Sequence, residues 1–289
     1  MLAATTPAPS QGTSVPGVTV AAPQIPNVDD HRLRDFVGRV VRPASDGHLA
    51  RWSLGEHICP EVLGSETFGA VVSQRIRQEA QELGVALGGP RCEPDVVVIL
   101  TDQPQPLLNE MRRRRPGIFG DHMAPALDAM IAKQEPVRIW QVTQDQPGDG
   151  DPENDTIGVG LMTRTFDHQS ASRVTTLSRQ TIKSILLVVD VNAVQSVTAD
   201  ALADYLTMAA FANVDQDADL GSDPTIMNLF RDEAAVATPP VALTSWDRAY
   251  LKGLYETRGN MIAGQQGASI VHIMTQSLNS SGPAPNPIR

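Results

Sequence analysis

The run Ser184–Asp190, SILLVVD, with the segment Thr198–Asn213 that follows it, constrains the fold more than any other stretch of the chain. A β-branched and Leu-rich run of this length suits a strand covered on both faces rather than one with a wet side. Thr198 or Asp200 can cap the next helix, on which Leu202, Tyr205, Leu206, Ala209 and Ala212 form the apolar stripe.

A zinc peptidase carries two His one turn apart and an adjacent Glu on such a helix, because imidazoles at i and i+4 converge on one ion while the Glu activates bound water. Here the matching slots hold Ala203, Asp204 and Thr207, so no zinc site is expected. Asp204 stands among Leu202, Tyr205 and Leu206. Exposure on the solvent face is its simpler reading, since Asp is seldom buried unpaired; a catalytic carboxylate is the alternative.

With 289 residues the chain can build a substantial core, and two domains are expected. A net charge of −10 argues against nucleic-acid binding and against anionic membrane surfaces, and no apolar run is long enough to span a bilayer. Residues 1–30 and 279–289 are rich in Pro, Ala and small polar residues and are expected to be disordered tails. The first of them has no charged n-region and no apolar h-region, so it is not an intact secretory signal, although it would suit what remains after one is removed.

Between the tails, Asp30 is placed to cap a helix burying Leu33, Phe36, Val37, Val40 and Val41. His48–Trp52 reads as a short strand, Ser65 to Gly84 as a helix, Asp95–Thr101 as a strand, Pro104 as the start of a further helix, and Val137–Val142 as a third strand. Strands separated by helices make residues 31–143 a two-layer α/β domain. The acidic, turn-rich segment 144–156 is the expected linker, and its carboxylates Asp149, Asp151, Glu153 and Asp155 form a weak metal pattern stiffened by Pro152. In the second domain, 157–278, the alternating runs Ile157–Thr165 and Arg173–Leu177 are expected to lie beside Ser184–Asp190 as a small sheet. Thr244 and Asp247 have capping-box spacing before a helix burying Trp246, Tyr250, Leu251 and Leu254; Ile270, Ile273, Met274 and Leu278 mark a last helix.

Four other groups bear on chemistry. Cys59 and Cys92 are the only cysteines, each beside a proline or within a residue of one, and a bridge between them would contribute roughly 4 kcal/mol in the chain-entropy model; two buried thiols are the alternative. Asp215, Asp217 and Asp219 have the spacing of the first calcium ligands of an EF-hand, but the glycine comes one residue late and Ile226 holds the position of the bidentate acid, so a solvated loop competes with calcium. The cluster Arg112, Arg113, Arg114 and Arg115 either complements a helix C-terminus or docks an acidic partner. Six histidines are scattered without any i, i+4 pair, and only His57 and His168 fall on loops suited to a site.

The order of strand, helix without ligands, acidic loop, capping box with RAYLKGLY and final amphipathic helix, over Val174–Leu278, resembles a family of uncharacterised secreted bacterial proteins, alphaproteobacterial members among them, with a predicted zincin-like peptidase domain. In that resemblance Asp204 takes the place of a Glu, Thr207 that of a second ligand, and Asn213 lies near the third. It implies a pseudoenzyme. The chain therefore reads as an α+β protein, periplasmic or secreted, with a two-layer α/β domain before a degenerate zincin-like one. It is expected to act without a cofactor, apart from the calcium reading, as a binding or scaffold module for an envelope protein or surface component. A hydrolase with catalytic residues near Asp204 is the alternative.

Overall fold

The computed structural model describes residues 29–44, 47–120, 124–147, 176, 178–231 and 239–280. Helix α1 (Asp30–Val40) starts at Asp29, whose carboxylate accepts the His31 amide. Strands β1 (His57–Ile58) and β2 (Pro60–Leu63) precede α2 (Glu66–Leu83), which opens on the Ser65 hydroxyl and closes on Gly84 in the left-handed conformation. Next come β3 (Ala86–Leu87), β4 (Val96–Thr101), α3 (Pro104–Arg114), a 3-10 turn (Pro116–Phe119), α4 (Ala124–Ala132) and β5 (Val137–Pro147). The remainder is β6 (Ser178–Asp190), α5 (Ala199–Phe211), a 3-10 turn (Ile226–Asn228), α6 (Ser245–Glu256) and α7 (Ala263–Ser280).

The α+β class stands, but the strands associate differently from the expected partition. Four of them form one sheet in the order β2-β4-β6-β5, with β2, β4 and β6 parallel and β5 antiparallel to β6; β1 and β3 make a separate parallel pair. Strand β6, assigned by sequence to a second domain, thus pairs along both edges with strands assigned to the first. The expected boundary at 144–156 does not separate two cores among the described residues: 144–147 belong to β5, and the rest of it, like the alternating run 157–165, lies outside those residues. Nor is His48–Trp52 a strand. Its one bridge is Arg51 to Thr181, and the Trp52 indole instead donates to the Ala210 carbonyl of α5 at 2.7 Å.

Both faces of the sheet are covered, which explains the unbroken apolar run in β6. Ile185, Leu187 and Val189 point into a core shared with α1, α2, α5, α6 and α7, while Leu186 and Val188 point the other way, onto Leu108, Phe119, Leu127 and Ile131 from α3 to α4. Helices on both faces replace the expected two layers with three. The apolar side chains of the run are buried on both faces, and their removal from water favours both packings.

Two local devices fix the start of the sheet. The Cys59–Cys92 disulfide, with Cα atoms 5.9 Å apart, straps the β1–β2 junction to the loop before β4. Asp95 reinforces it by accepting the Cys59 amide at 2.7 Å, and burial pushes its carboxyl above the usual range. At the far end of β2, Gly64 turns the chain toward α2 with φ +100°, and a Cβ there would stand 2.3 Å from the Leu100 carbonyl oxygen of β4. Gly64→Ala is expected to cost about 2 kcal/mol or more, since backbone strain and a backbone clash act together; urea unfolding measures it. Reduction of the disulfide should cost about 2–5 kcal/mol in the same assay, with both thiols becoming reactive to labelling only after reductant is added.

Candidate functional site

Helix α5 sits at the centre of the larger core, and every residue from Ala201 to Phe211 is buried. Thr198 caps it by accepting the Ala201 amide at 3.2 Å. Asp204, expected on the solvent face, is 0 % exposed. The reason is tertiary: α2 and α6 pack along this side of α5, and the segment leading into α6 crosses it. The Leu243 amide of that segment donates to Asp204 Oδ2 at 2.8 Å, and Arg75 Nε of α2 stands 3.4 Å from Oδ1, which has no hydrogen bond.

The two neighbouring motif slots are equally enclosed. Thr207 spends its hydroxyl on the Ala203 carbonyl one turn back at 2.8 Å, and Ala203 is itself without exposure. Neither presents a donor set for a metal, and among the described residues no group of three or more His, Cys, Asp or Glu converges to hold one.

Beside Asp204 lies a small polar cavity of about 10 Å³, room for about one water. Glu79 of α2 lines it, 3.5 Å from the Arg248 guanidinium of α6, which also stands 3.6 Å from Glu82. Burial raises the Glu79 carboxyl to about 7; Arg248 opposes the shift, while Glu82, Asp204 and Asp247 add to it. Sequence reading passed over Glu79, yet Val72, Ile76, Glu79 and Leu83 follow the 4-3-4 spacing of one helix face. A carboxylate on that stripe was the available signal.

Asp247 anchors the same corner. It accepts the Thr225 hydroxyl at 2.6 Å, the Ile226 amide at 2.8 Å, the Thr244 amide at 2.9 Å and the Thr244 hydroxyl at 2.8 Å, so the expected capping box also holds the 3-10 turn Ile226–Asn228. Burial pushes its carboxyl upward against the pull of those donors.

The remaining candidates are tied into the fold. Asp215 and Asp217 face Arg42, Asp217 also pairs with Lys133, and Asp219 accepts the Gly221 amide at 2.9 Å. Two of the three carboxylates are therefore already paired with cations of the protein itself. Between them Gln216 clasps the edge of β5, accepting from the Ile139 amide at 3.1 Å and donating to the Val137 carbonyl at 2.7 Å. Arg112 pairs with Asp128, and Arg113 and Arg114 both pair with Glu110 of the same helix, while Arg115 is exposed. His57 lies exposed in β1; His168 and the acids Asp149 to Asp155 fall outside the described residues. An apolar groove between α1 and α7, floored by Val37, Val41, Leu49 and Val271, supplies no acid, base or nucleophile.

Comparison with protein-family models, with curated proteins and with solved structures finds no match. The geometry of the chain itself has to carry the functional reading.

Three substitutions separate a packing role from a catalytic one. Asp204→Ala leaves the Leu243 amide without its acceptor and Arg75 with Asp200 alone, and is expected to cost about 1–3 kcal/mol; Asp247→Ala, which removes the acceptor of the Thr225 hydroxyl and of the Ile226 and Thr244 amides, should cost about 3 kcal/mol or more. Thr207→Val removes a single bond within the helix and should cost less than about 1 kcal/mol. Urea unfolding of the three variants checks the order.

Proposed function

We propose that this protein is a non-catalytic binding or scaffold module of the bacterial envelope, exported and retaining a peptidase-like helix as a structural element. The observation that carries this reading is the sealing of the helix: Ala203, Asp204 and Thr207 have no exposure, and the cavity beside them is too small for a peptide. The zincin-like kinship remains a proposal resting on the resemblance of Val174–Leu278. The Cys59–Cys92 bond favours an oxidising compartment, where such bonds persist, and hence the periplasm or the exterior. No helix among the described residues is long and apolar enough to cross a membrane.

The partner surface in this reading is the end of α3. Arg113 and Arg114 keep 70 % and 73 % of their side-chain surface exposed despite their pairing with Glu110, and Ile118 is exposed beside Arg115 on the adjoining 3-10 turn. That turn is rigidly held. Phe119 packs edge-on against Trp140 at 5.8 Å, and the Trp140 indole donates to the Phe119 carbonyl at 3.1 Å. A preorganised patch of basic and apolar groups suits an acidic protein or an anionic surface component, because little ordering cost remains on binding.

One observation favours the alternative hydrolase. Glu79, held at about 7 beside Asp204, has the perturbed carboxyl expected of a general acid or base. A cavity of about 10 Å³ gives a substrate no access to it.

The purified protein should hold no stoichiometric zinc by elemental analysis and should release no product from a diverse peptide library. Reversal of Arg113, Arg114 and Arg115 to Glu should abolish co-purification of a partner that the wild type retains, with unfolding unchanged, since surface substitutions cost little. Bound zinc, or peptide hydrolysis lost on Glu79→Gln, would replace the module with the enzyme.

A further inference from the structure

The seam where α2 meets α6 over Asp204 is short of positive charge. Glu79 and Glu82 from α2, Asp204 from α5 and Asp247 from α6 lie close enough to act on one another, and Asp200 of α5 stands at the exposed rim. Two guanidiniums serve them. Arg75 stands 3.3 Å from Asp200 and 3.4 Å from Asp204, while Arg248 reaches Glu79 and Glu82 at 3.5 Å and 3.6 Å. The Tyr255 phenol, the other titratable group coupled to Glu79 from α6, stays neutral because burial pushes it far above its ordinary value. No histidine lines the cavity.

These groups differ in what they can do about the imbalance. Asp247 is held by the Thr225 hydroxyl and the Ile226 and Thr244 amides, and Glu82 and Asp200 reach solvent, with 49 % and 72 % of their side chains exposed. Asp204 has the Leu243 amide and Arg75. Glu79 is buried with one long contact to Arg248 and no hydrogen bond to it within normal reach. It is the member of the cluster that most gains from being neutral.

We propose that the α2–α6 seam is a pH-operated latch with Glu79 as its pivot: closed while Glu79 is protonated, and loosened when its proton leaves to solvent and a further negative charge appears against Asp204 and Asp247. The direction follows from the two states. In the closed seam Glu79 holds its proton up to about 7, whereas in an opened seam it is solvated and has its ordinary value of 4.5. Closure is therefore favoured fully below the ordinary value and loses ground as pH rises toward about 7, beyond which the balance is again flat. Leu243 reports on the seam, because its amide ends on Asp204 inside it.

Hydrogen exchange of the intact protein, corrected for the pH dependence of free amides, tests the latch. Protection of the Leu243 amide and of the facing turns of α2 and α6 should fall by roughly tenfold or more between pH 4.5 and pH 7.5, a loss carried by local opening rather than global unfolding. Glu79→Gln, neutral at every pH, should remove the dependence and hold the seam closed; Glu82→Gln, at the exposed rim, should leave it in place. Equal protection of the wild type at the two pH values, or a pH dependence that survives Glu79→Gln, overturns the proposal. If the Gln variant fails to fold, a carbon-13 titration of the wild-type Glu79 carboxyl decides instead: a midpoint well above the ordinary glutamate range supports the latch, and an ordinary midpoint overturns it.

Discussion

Enclosure of α5 is the condition on which the rest of the structure depends. A helix buried on all sides cannot use amphipathicity to orient itself, so its rotation must be set by the few polar groups it carries. Asp204 does this through the Leu243 amide, and the Ala210 and Phe211 carbonyls at its other end accept from Trp52 and from Tyr255. Three tethers from three separate segments leave one register for α5. Around it the sheet supplies Ile185, Leu187 and Val189, and α2, α6 and the 3-10 turn Ile226–Asn228 pack on its other sides.

The cost of that enclosure appears at the α2–α6 seam. A carboxylate on α5 requires a cation, Arg75 supplies one, and the same helix then brings Glu79 into the space beside it. Hydrogen-bonded Asp247 stabilises the corner despite its burial, because each donor it accepts would otherwise be left unsatisfied. Glu79 has no such compensation. The two buried acids of neighbouring helices thus have opposite characters, one a fixed knot and the other a group whose charge state can change.

Features set by neighbouring residues were legible in the sequence, and features set across the chain were not. The caps at Ser65 and Thr244, the left-handed Gly84 and the capping box with Asp247 depend on residues within one turn and stand where the pattern put them; of the two candidates before α5 it is Thr198 that caps, and α1 is capped by Asp29 rather than the expected Asp30. The cysteine bridge was readable because two residues allow one pairing. Burial of β6 on both faces was legible from its run, whereas its neighbours β4 and β5 were not, since strand order is a long-range choice that a local pattern does not encode. Asp204 was misplaced for the same reason: the segment that covers it follows Pro239 and Pro240, far along the chain. Glu79 was the reverse case, overlooked although its spacing from Ile76 and Leu83 placed it on the buried stripe.

The position of β6 in the sheet also dictates the order in which the chain can assemble. As synthesis proceeds, β4 and β5 emerge with no strand between them, because the strand that joins them lies beyond residue 177. Until it arrives, the inner edges of both are unpaired and Val97, Ile99 and Trp140 lack Leu186 and Val188, which complete the cluster they pack in. A nascent chain of this topology stays open until Ser178–Asp190 is available, and its contacts close late over long loops. That delay makes the period before β6 docks the one in which aggregation is most favoured.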